Sequence, residues 1–208
     1  MKGNLYTLSY AALLGTVCAL LLTAASGFTA SYRAANAEAE EILNILTALK
    51  VSFQADASPG QLVEIFNTNV RHRSRGDQTL YEYCPPDAEG KTQAVAVRFS
   101  GPGLWGPIKG FLALEPDMRT IRGLTFYEQE ETPGLGGEIA SVWFREQFEG
   151  KKITDETGKI GIAIKAGGKA STINEVDAIT GATMTCDKVE AILNEVIKKI
   201  VDERSTDG

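Results

Sequence analysis

A long uncharged stretch lies at the beginning of the chain. Residues 3–32 contain no Asp, Glu, Lys or Arg, and residues 8–28 are mostly Ala, Leu, Val, Thr and Ser. Roughly 20 apolar residues span a bilayer as an α-helix. Aromatic residues near the two ends suit the membrane interface; they are Tyr6, Tyr10 and Tyr32. The pattern predicts a transmembrane anchor over residues 1–32.

A cleaved signal peptide is the alternative for this stretch. Its apolar region ordinarily covers ~7–15 residues, which is shorter than the run found here. The segment Thr23-Ala24-Ala25-Ser26 would serve as its cleavage site. For a retained anchor, Lys2 and the N-terminal amine favour a cytoplasmic tail, although Arg33 acts in the opposite direction. We therefore expect a single-pass membrane protein with its tail in the cytoplasm and its domain on the outer side.

A helical stripe of apolar residues continues beyond the anchor. Its members are Ile42, Leu43, Ile45, Leu46 and Leu49. The stripe predicts a stalk helix and linker over residues 33–57, packed on the domain or on partner subunits. The following domain, residues 58–208, opens with Ser58-Pro59-Gly60-Gln61, which has the N-cap, first-turn proline and capping-box glutamine of a helix start.

The middle of the chain alternates short apolar strands with turns. Strands are predicted at residues 80–84, 93–99, 108–114 and 121–128, and later at 160–165. Helices are predicted at residues 138–148 and 187–201. This order indicates an α+β fold, with one domain built on a mainly antiparallel sheet flanked by helices. No GxGxxG opens a helix, which argues against a Rossmann dinucleotide-binding domain.

Composition and charge exclude several functions. The chain has 208 residues, of which 43% are hydrophobic and 23% charged, with a net charge of −6. These values fit one domain with a tether and give no argument for nucleic-acid binding. The only basic run, residues 71–75, is interpreted as a solvated loop.

Cysteine and histidine are scarce. Cys18, Cys84 and Cys186 form no CxxC motif, so no metal cage is indicated. His72 is the single histidine, which makes a Ser-His or Cys-His catalytic unit improbable. We do not expect a disulfide between Cys84 and Cys186. Any redox chemistry therefore depends on a cofactor.

Two glycine-rich loops precede predicted helices. In Thr180-Gly181-Ala182-Thr183, small residues permit close approach to the backbone, and the free N–H groups of the next helix favour an anion such as phosphate. A threonine at this position can cap the helix, bind a phosphate or carry one covalently. The second loop is Glu131-Thr132-Pro133-Gly134-Leu135-Gly136-Gly137, which is too rich in glycine and proline for regular structure.

These loops resemble the two signatures of the FMN-binding domain family. In that family a flavin transferase links the phosphate of FMN to the last threonine of the S/T-G-A-T motif, which is Thr183 here. The anchor, the stalk at residues 36–45, Gly103-Leu104-Trp105, Tyr127 and Glu138 are similar to the C subunit of the sodium-translocating NADH:quinone oxidoreductase. Two features depart from it: the short length, and Gly106-Pro107-Ile108, which resembles the G subunit of the Rnf complex.

The resemblance implies an electron-transfer subunit with covalent FMN, working between NADH and quinone in a sodium-coupled membrane complex. It implies other integral subunits and the flavin transferase as partners, and no NADH site in this chain. Beside Thr183, the flavin-binding residues it implies are Asp177, Thr180, Gly181, Ala182, Thr185, Glu131, Thr132, Leu135, Gly136, Gly137 and Trp105.

Three of these residues have open roles. Thr185 either binds the phosphate or caps the helix, Trp105 either stacks on the ring or packs in the core, and Asp177 either orients the threonine or braces the turn. Three alternatives for the whole protein also remain. They are a G-like subunit of an Rnf-type ferredoxin:NAD oxidoreductase, a stand-alone membrane-anchored flavoprotein, and a non-redox binding module in which Thr183 only caps a helix.

Overall fold

The computed structural model describes residues 2–75 and 78–206. It divides into two compact units, one ending at Ala39 and the other beginning at Glu40. The predicted stalk and linker, residues 33–57, is therefore split between the units, and residues 40–57 belong to the folded domain. The reason is that the apolar stripe after residue 40 is buried in the core of the domain.

The first helix, α1, covers Lys2–Ala48. Within it, Leu5–Ala30 has a mean hydropathy of 1.9 and is long and apolar enough to cross a membrane. Threonine and serine hydroxyls in this stretch donate back to carbonyls four residues earlier, as Thr16 does to Ala12 at 2.8 Å, so these polar groups are satisfied within the helix. The apolar N-terminal helix expected from the sequence is thus present.

A five-stranded antiparallel sheet forms the centre of the second unit, in the order β1-β2-β3-β4-β5. Its strands are Val70–Arg75, Gln78–Tyr83, Ala94–Pro102, Pro107–Leu114 and Ile121–Glu128. A small parallel pair, β6 (Ala163–Lys165) and β7 (Glu175–Asp177), lies beyond it in the chain. The helices are α2 (Pro59–Asn69), α3 (Val142–Glu146) and α4 (Thr183–Thr206). The α+β class with a mainly antiparallel sheet is confirmed.

The sheet is covered on both faces. On β3, Val95, Val97 and Phe99 point into a core shared with α3, α4 and the small sheet, whereas Ala94 and Ala96 point into a second core with α2 and the end of α1. This alternation follows from the two-residue period of a strand. The α4 face of the sheet carries the site described below.

The end of α1 is held tightly on β5. Arg122 Nε donates to Leu49 O at 2.8 Å, and Thr125 Oγ1 donates to Asn44 O at 3.2 Å. The start of α2 also has the expected cap, since Ser58 N–H donates to Gln61 Oε1 at 2.7 Å. The contacts of α1 agree with the expected packing of this helix on the domain, and the cap agrees with the expected start of α2.

Four sequence-based predictions need correction. Residues 71–75 are part of the edge strand β1 and not a loop, because cross-strand pairing with β2 overrides their polar composition. The predicted helix over residues 138–148 is broken into a 3₁₀ turn, Gly136–Ala140, and the short α3. The strand predicted at 160–165 forms only at its end, and the last helix begins four residues earlier than expected, at Thr183.

A substitution on β5 tests the packing of α1. A Cβ added at Gly123 would lie 2.4 Å from Ala48 O, a backbone atom that cannot rotate away. We expect Gly123→Ala to lower the free energy of unfolding by about 1–3 kcal/mol, measured by denaturant titration. Gly60→Ala is the matched control, since Gly60 has open space around its Cβ position in α2. It should be neutral or stabilising, and equal losses in both variants would contradict the packing argument.

Candidate functional site

Three separate loops meet at one pocket on the α4 side of the sheet. They are the turn between β3 and β4, the glycine-rich loop after β5, and the turn that leads into α4. The pocket has a volume of about 290 Å³ and is lined by Leu104, Glu131, Thr132, Leu135, Gly136, Gly181, Ala182, Thr183, Met184 and Thr185. Both glycine-rich loops of the sequence therefore contribute to the same cavity.

Thr183 stands at the open N-terminal end of α4. The turn before it closes through Ala182 N–H donating to Ile179 O at 3.1 Å, with Gly181 at φ +79°. The first bond of the helix runs from Cys186 N–H to Ala182 O at 3.0 Å. The N–H groups of residues 183–185 thus precede the helical bonding pattern and are available to an anion. The Thr183 side chain is exposed and lines the pocket.

Cys186 contacts the backbone of this turn from the buried side. Its buried Sγ accepts a hydrogen bond from Ile179 N–H at 3.4 Å, and burial raises the pKa of the thiol. Cys186 and Cys84 are both free and buried. The thiol holds the backbone of the turn and takes no part in the pocket lining.

Glu131 connects the three loops. It is only 4% exposed. Its Oε1 accepts from Leu104 N–H at 2.7 Å and from Trp105 N–H at 3.4 Å. Its Oε2 accepts from the hydroxyl of Thr185 at 2.6 Å. One carboxylate therefore holds the β3–β4 turn and the first turn of α4 against the second loop.

Two glycines make room for this carboxylate. A Cβ at Gly103 would lie 2.5 Å from Glu131 Oε1, and a Cβ at Gly136 would lie 2.4 Å from Thr185 Oγ1. Gly103 N–H also donates to Gly106 O at 2.9 Å, which closes the β3–β4 turn. We call Gly103, Glu131, Gly136 and Thr185 the carboxylate cluster.

The glycine-rich loop folds around one carbonyl. Thr132 O accepts from Leu135 N–H at 3.1 Å and from Gly137 N–H at 2.9 Å, and Gly134 between them has φ +75°. This turn presents Leu135 toward the helix start, where a Cβ at Gly181 would lie 3.1 Å from Leu135 Cδ2. The second loop and the α4 turn thus touch along an apolar edge of the pocket.

The structure brings most of the expected site residues together. Glu131, Thr132, Leu135 and Gly136 line the pocket opposite Gly181, Ala182, Thr183 and Thr185. The pocket lining does not include Asp177, Thr180, Gly137 or Trp105. Thr180 is exposed one turn before Thr183, and Gly137 serves the loop through its bond to Thr132.

The three residues with open roles are now placed. Thr185 neither caps α4 nor faces solvent; it is 2% exposed, and its hydroxyl bonds to Glu131. Trp105 is not a core residue, because 72% of it is exposed and only its N–H reaches Glu131. The Asp177 carboxylate accepts from Ala170 N–H at 2.9 Å and so braces the turn before β7.

Two pocket residues were missed by the sequence interpretation. Leu104 and Met184 are adjacent in the chain to Trp105 and Thr183, and both line the cavity. The signal for each was its place inside a motif already singled out. Neither exposed apolar side chain belongs to a periodic pattern that would identify it as a pocket residue from the sequence.

Comparison with known proteins agrees with this geometry. The family model of the FMN-binding domain matches residues 103–198, which include every residue of the pocket. The chain is 40% identical over 108 residues to the C subunit of the Na(+)-translocating NADH-quinone reductase of Neisseria meningitidis serogroup A, covering 52% of this chain and 42% of that protein. The corresponding C subunit of Haemophilus ducreyi is 38% identical over 122 residues, covering 59% and 46%. The match spans less than half the length of these curated relatives.

Solved structures of the same type of subunit share the fold. The crystal structure of NqrC from Shewanella oneidensis superimposes with a TM-score of 0.65 at 26% identity, covering 76% of this chain and 91% of that chain. The crystal structure of the C subunit from Parabacteroides distasonis gives 0.70 at 25% identity, covering 83% and 95%. The likeness thus extends well beyond the segment matched by the family model.

The hydroxyl of Thr185 tests the carboxylate cluster. Thr185→Val keeps the size of the side chain but leaves Glu131 Oε2 without its side-chain donor. We expect this variant to lose about 1–3 kcal/mol of unfolding free energy, measured by chemical denaturation. Thr185→Ser retains the hydroxyl and should lose clearly less. If serine and valine destabilised equally, the bond to Glu131 would not be the source of the effect.

Proposed function

We propose that this protein, whose residues 103–198 match the family model of the FMN-binding domain, is the flavin-carrying electron-transfer subunit of a membrane respiratory complex. In this role it relays electrons from NADH toward quinone through FMN bound covalently to Thr183, in a complex that transports sodium. The observation that carries the proposal is the exposed Thr183 hydroxyl at the open N-terminus of α4, facing a pocket built from both glycine-rich loops.

The residues present fit the phosphate of FMN. The Thr183 hydroxyl is exposed beside the unbonded N–H groups of residues 183–185, and an anion there is stabilised by the N-terminal end of the helix dipole. Gly181 keeps the backbone of the turn close to the pocket, since a side chain there would meet Leu135. In a phosphoester made by a flavin transferase, Thr183 Oγ1 would lose its proton and bond to the phosphorus of the FMN group. The donor would be an activated flavin phosphate such as a flavin dinucleotide, whose P–O–P bond breaks and whose nucleotide phosphate leaves.

The pocket also fits the flat, largely apolar part of a flavin. Leu104, Leu135 and Met184 supply apolar walls, while Thr132 and the Gly136 backbone supply polar edges. The bound flavin supplies the redox chemistry. The residues of the chain orient it, and the covalent link prevents its dissociation.

NADH itself is proposed to bind elsewhere in the complex. The domain is an antiparallel sheet with no dinucleotide-binding βαβ unit within the described ranges 2–75 and 78–206. The apolar stretch Leu5–Ala30 carries no ionisable Asp, Glu, Lys or Arg side chain for an ion path. Sodium transport and quinone reduction would therefore belong to other integral subunits, with this chain as their electron relay.

The helix α1 is proposed to anchor the protein in the bacterial inner membrane. Its apolar stretch has the length and composition for one crossing. With Lys2 on the cytoplasmic side, the flavin domain would lie on the outer side. A covalent link would keep the flavin from dissociating there.

A second candidate is a G-like subunit of an Rnf-type ferredoxin:NAD oxidoreductase. The observation in its favour is Gly106-Pro107-Ile108, where Gly106 closes the β3–β4 turn and Pro107 begins β4. The similarity to the C subunits of Neisseria and Haemophilus supports the quinone-reducing complex more strongly. Both candidates assign the same covalent flavin to Thr183.

Covalent attachment is tested by intact mass and in-gel flavin fluorescence of the denatured protein, expressed together with a flavin transferase. The wild-type chain should carry one FMN and give a fluorescent band, and Thr183→Ala should lose both signals completely. Thr68→Ala is the matched control, since it removes an exposed hydroxyl in α2, outside both glycine-rich loops. This variant should retain the flavin. A dark wild-type band of unmodified mass would overturn the covalent-flavin proposal.

Orientation is tested with a C-terminal alkaline phosphatase fusion, since this reporter folds only outside the cytoplasm. We expect an active, membrane-bound fusion for the full chain. A fusion that lacks residues 1–32 should be inactive and soluble. Activity confined to a cytoplasmic reporter at the same position would show that the domain faces the cytoplasm instead.

A further inference from the structure

The carboxylate of Glu131 receives hydrogen bonds from three groups. They are two backbone N–H groups, from Leu104 and Trp105, and the hydroxyl of Thr185. The N–H groups can only donate, and the hydroxyl can turn to donate as well as to accept. Donors directed at a carboxylate stabilise its charged form, here in a residue of which only 4% is exposed to solvent.

This charge has no counter-ion in the described part of the chain. Within residues 2–75 and 78–206, every salt bridge joins a Lys or Arg to a carboxylate other than Glu131. Hydrogen bonds stabilise the charge without cancelling it. Because burial keeps water and salt away, its field acts on neighbouring groups more strongly than that of an exposed carboxylate.

The charge lies in the wall of the pocket. Glu131 lines the same cavity as Thr183, Leu135 and Met184. We propose that Glu131 sets the midpoint potential of the flavin in this pocket, by holding a buried negative charge beside it that disfavours its reduction. The proposal rests on the function proposed above and adds an electrostatic role to the part that Glu131 plays in holding the three loops together.

The direction of the effect follows from electrostatics. An electron added to a ring beside a negative charge is repelled, so reduction becomes less favourable and the midpoint potential falls. Other carboxylates near the site are weaker candidates. Glu130 is exposed and Glu138 is half-buried, so solvent screens their charges more than that of Glu131.

The test is a redox titration of the flavin-loaded full-length protein, in detergent, against dyes of known potential. Glu131→Gln keeps the shape of the side chain and an oxygen for the N–H groups but removes the charge. We expect its midpoint potential to rise by at least about 59 mV, which corresponds to a tenfold change in the equilibrium constant of a one-electron reduction. Glu130→Gln, the same change at an exposed neighbouring position, should shift the potential much less.

The outcomes separate this inference from the proposed function. A wild-type chain that takes up no flavin would overturn both. Loaded wild type and Glu131→Gln with equal potentials, or a lower potential in the variant, would overturn the role of Glu131 alone. An equal rise in Glu130→Gln would also overturn it, because a general loss of surface charge would then explain the shift.

A second variant keeps the inference testable if Glu131→Gln does not fold or load. Thr185→Val leaves the charge in place and removes the one side-chain donor that disperses it. Its flavin should have a midpoint potential below that of wild type, and Thr185→Ser should match wild type. A potential in Thr185→Val equal to or above that of wild type would overturn the proposal.

Discussion

The site depends on one buried carboxylate that three distant segments share. Glu131 accepts from the β3–β4 turn through Leu104 and Trp105 and from α4 through Thr185. Each of these segments contains or follows a turn with glycine, at Gly103, Gly136 and Gly181. An unpaired buried carboxylate is expensive, so the three segments must come together for the charge to be tolerated. The glycines at 103 and 136 are then required by space, because any side chain there would displace the carboxylate or Thr185.

The rest of the domain presents these segments at one place. The central sheet is covered on one face by α2 and the end of α1, and on the other by α4. Both faces of the sheet are buried by these helices, so the pocket is formed by loops at the edge of the sheet. The β3–β4 turn and the loop after β5 emerge from neighbouring antiparallel strands, which places them side by side. Helix α4 packs its apolar face on the same side, and this brings its N-terminus to the two loops.

The pocket combines two kinds of chemistry. Free N–H groups and an exposed hydroxyl at the start of α4 suit a phosphate. The buried carboxylate of Glu131 and the apolar walls suit control of a redox group. The scarcity of histidine and cysteine fits this arrangement, because the chain contributes position and electrostatics while the cofactor contributes electrons. In the proposed function, anchoring by α1 would keep the protein beside the membrane subunits of its complex.

The sequence by itself determined the features that depend on local pattern. The apolar helix, the alternating strands β3 to β5, the capping box at Ser58 and the two glycine-rich turns follow from periodicity and turn chemistry. Tertiary structure decided what depends on distant partners. Residues 71–75 became a strand because β2 pairs with them, Trp105 stays at the surface although its size suggested a core, and Thr185 turned away from the helix cap to meet Glu131, 54 positions away in the chain. Such contacts leave no periodic trace in the chain, since they are set by the packing of elements and not by the neighbours of each residue.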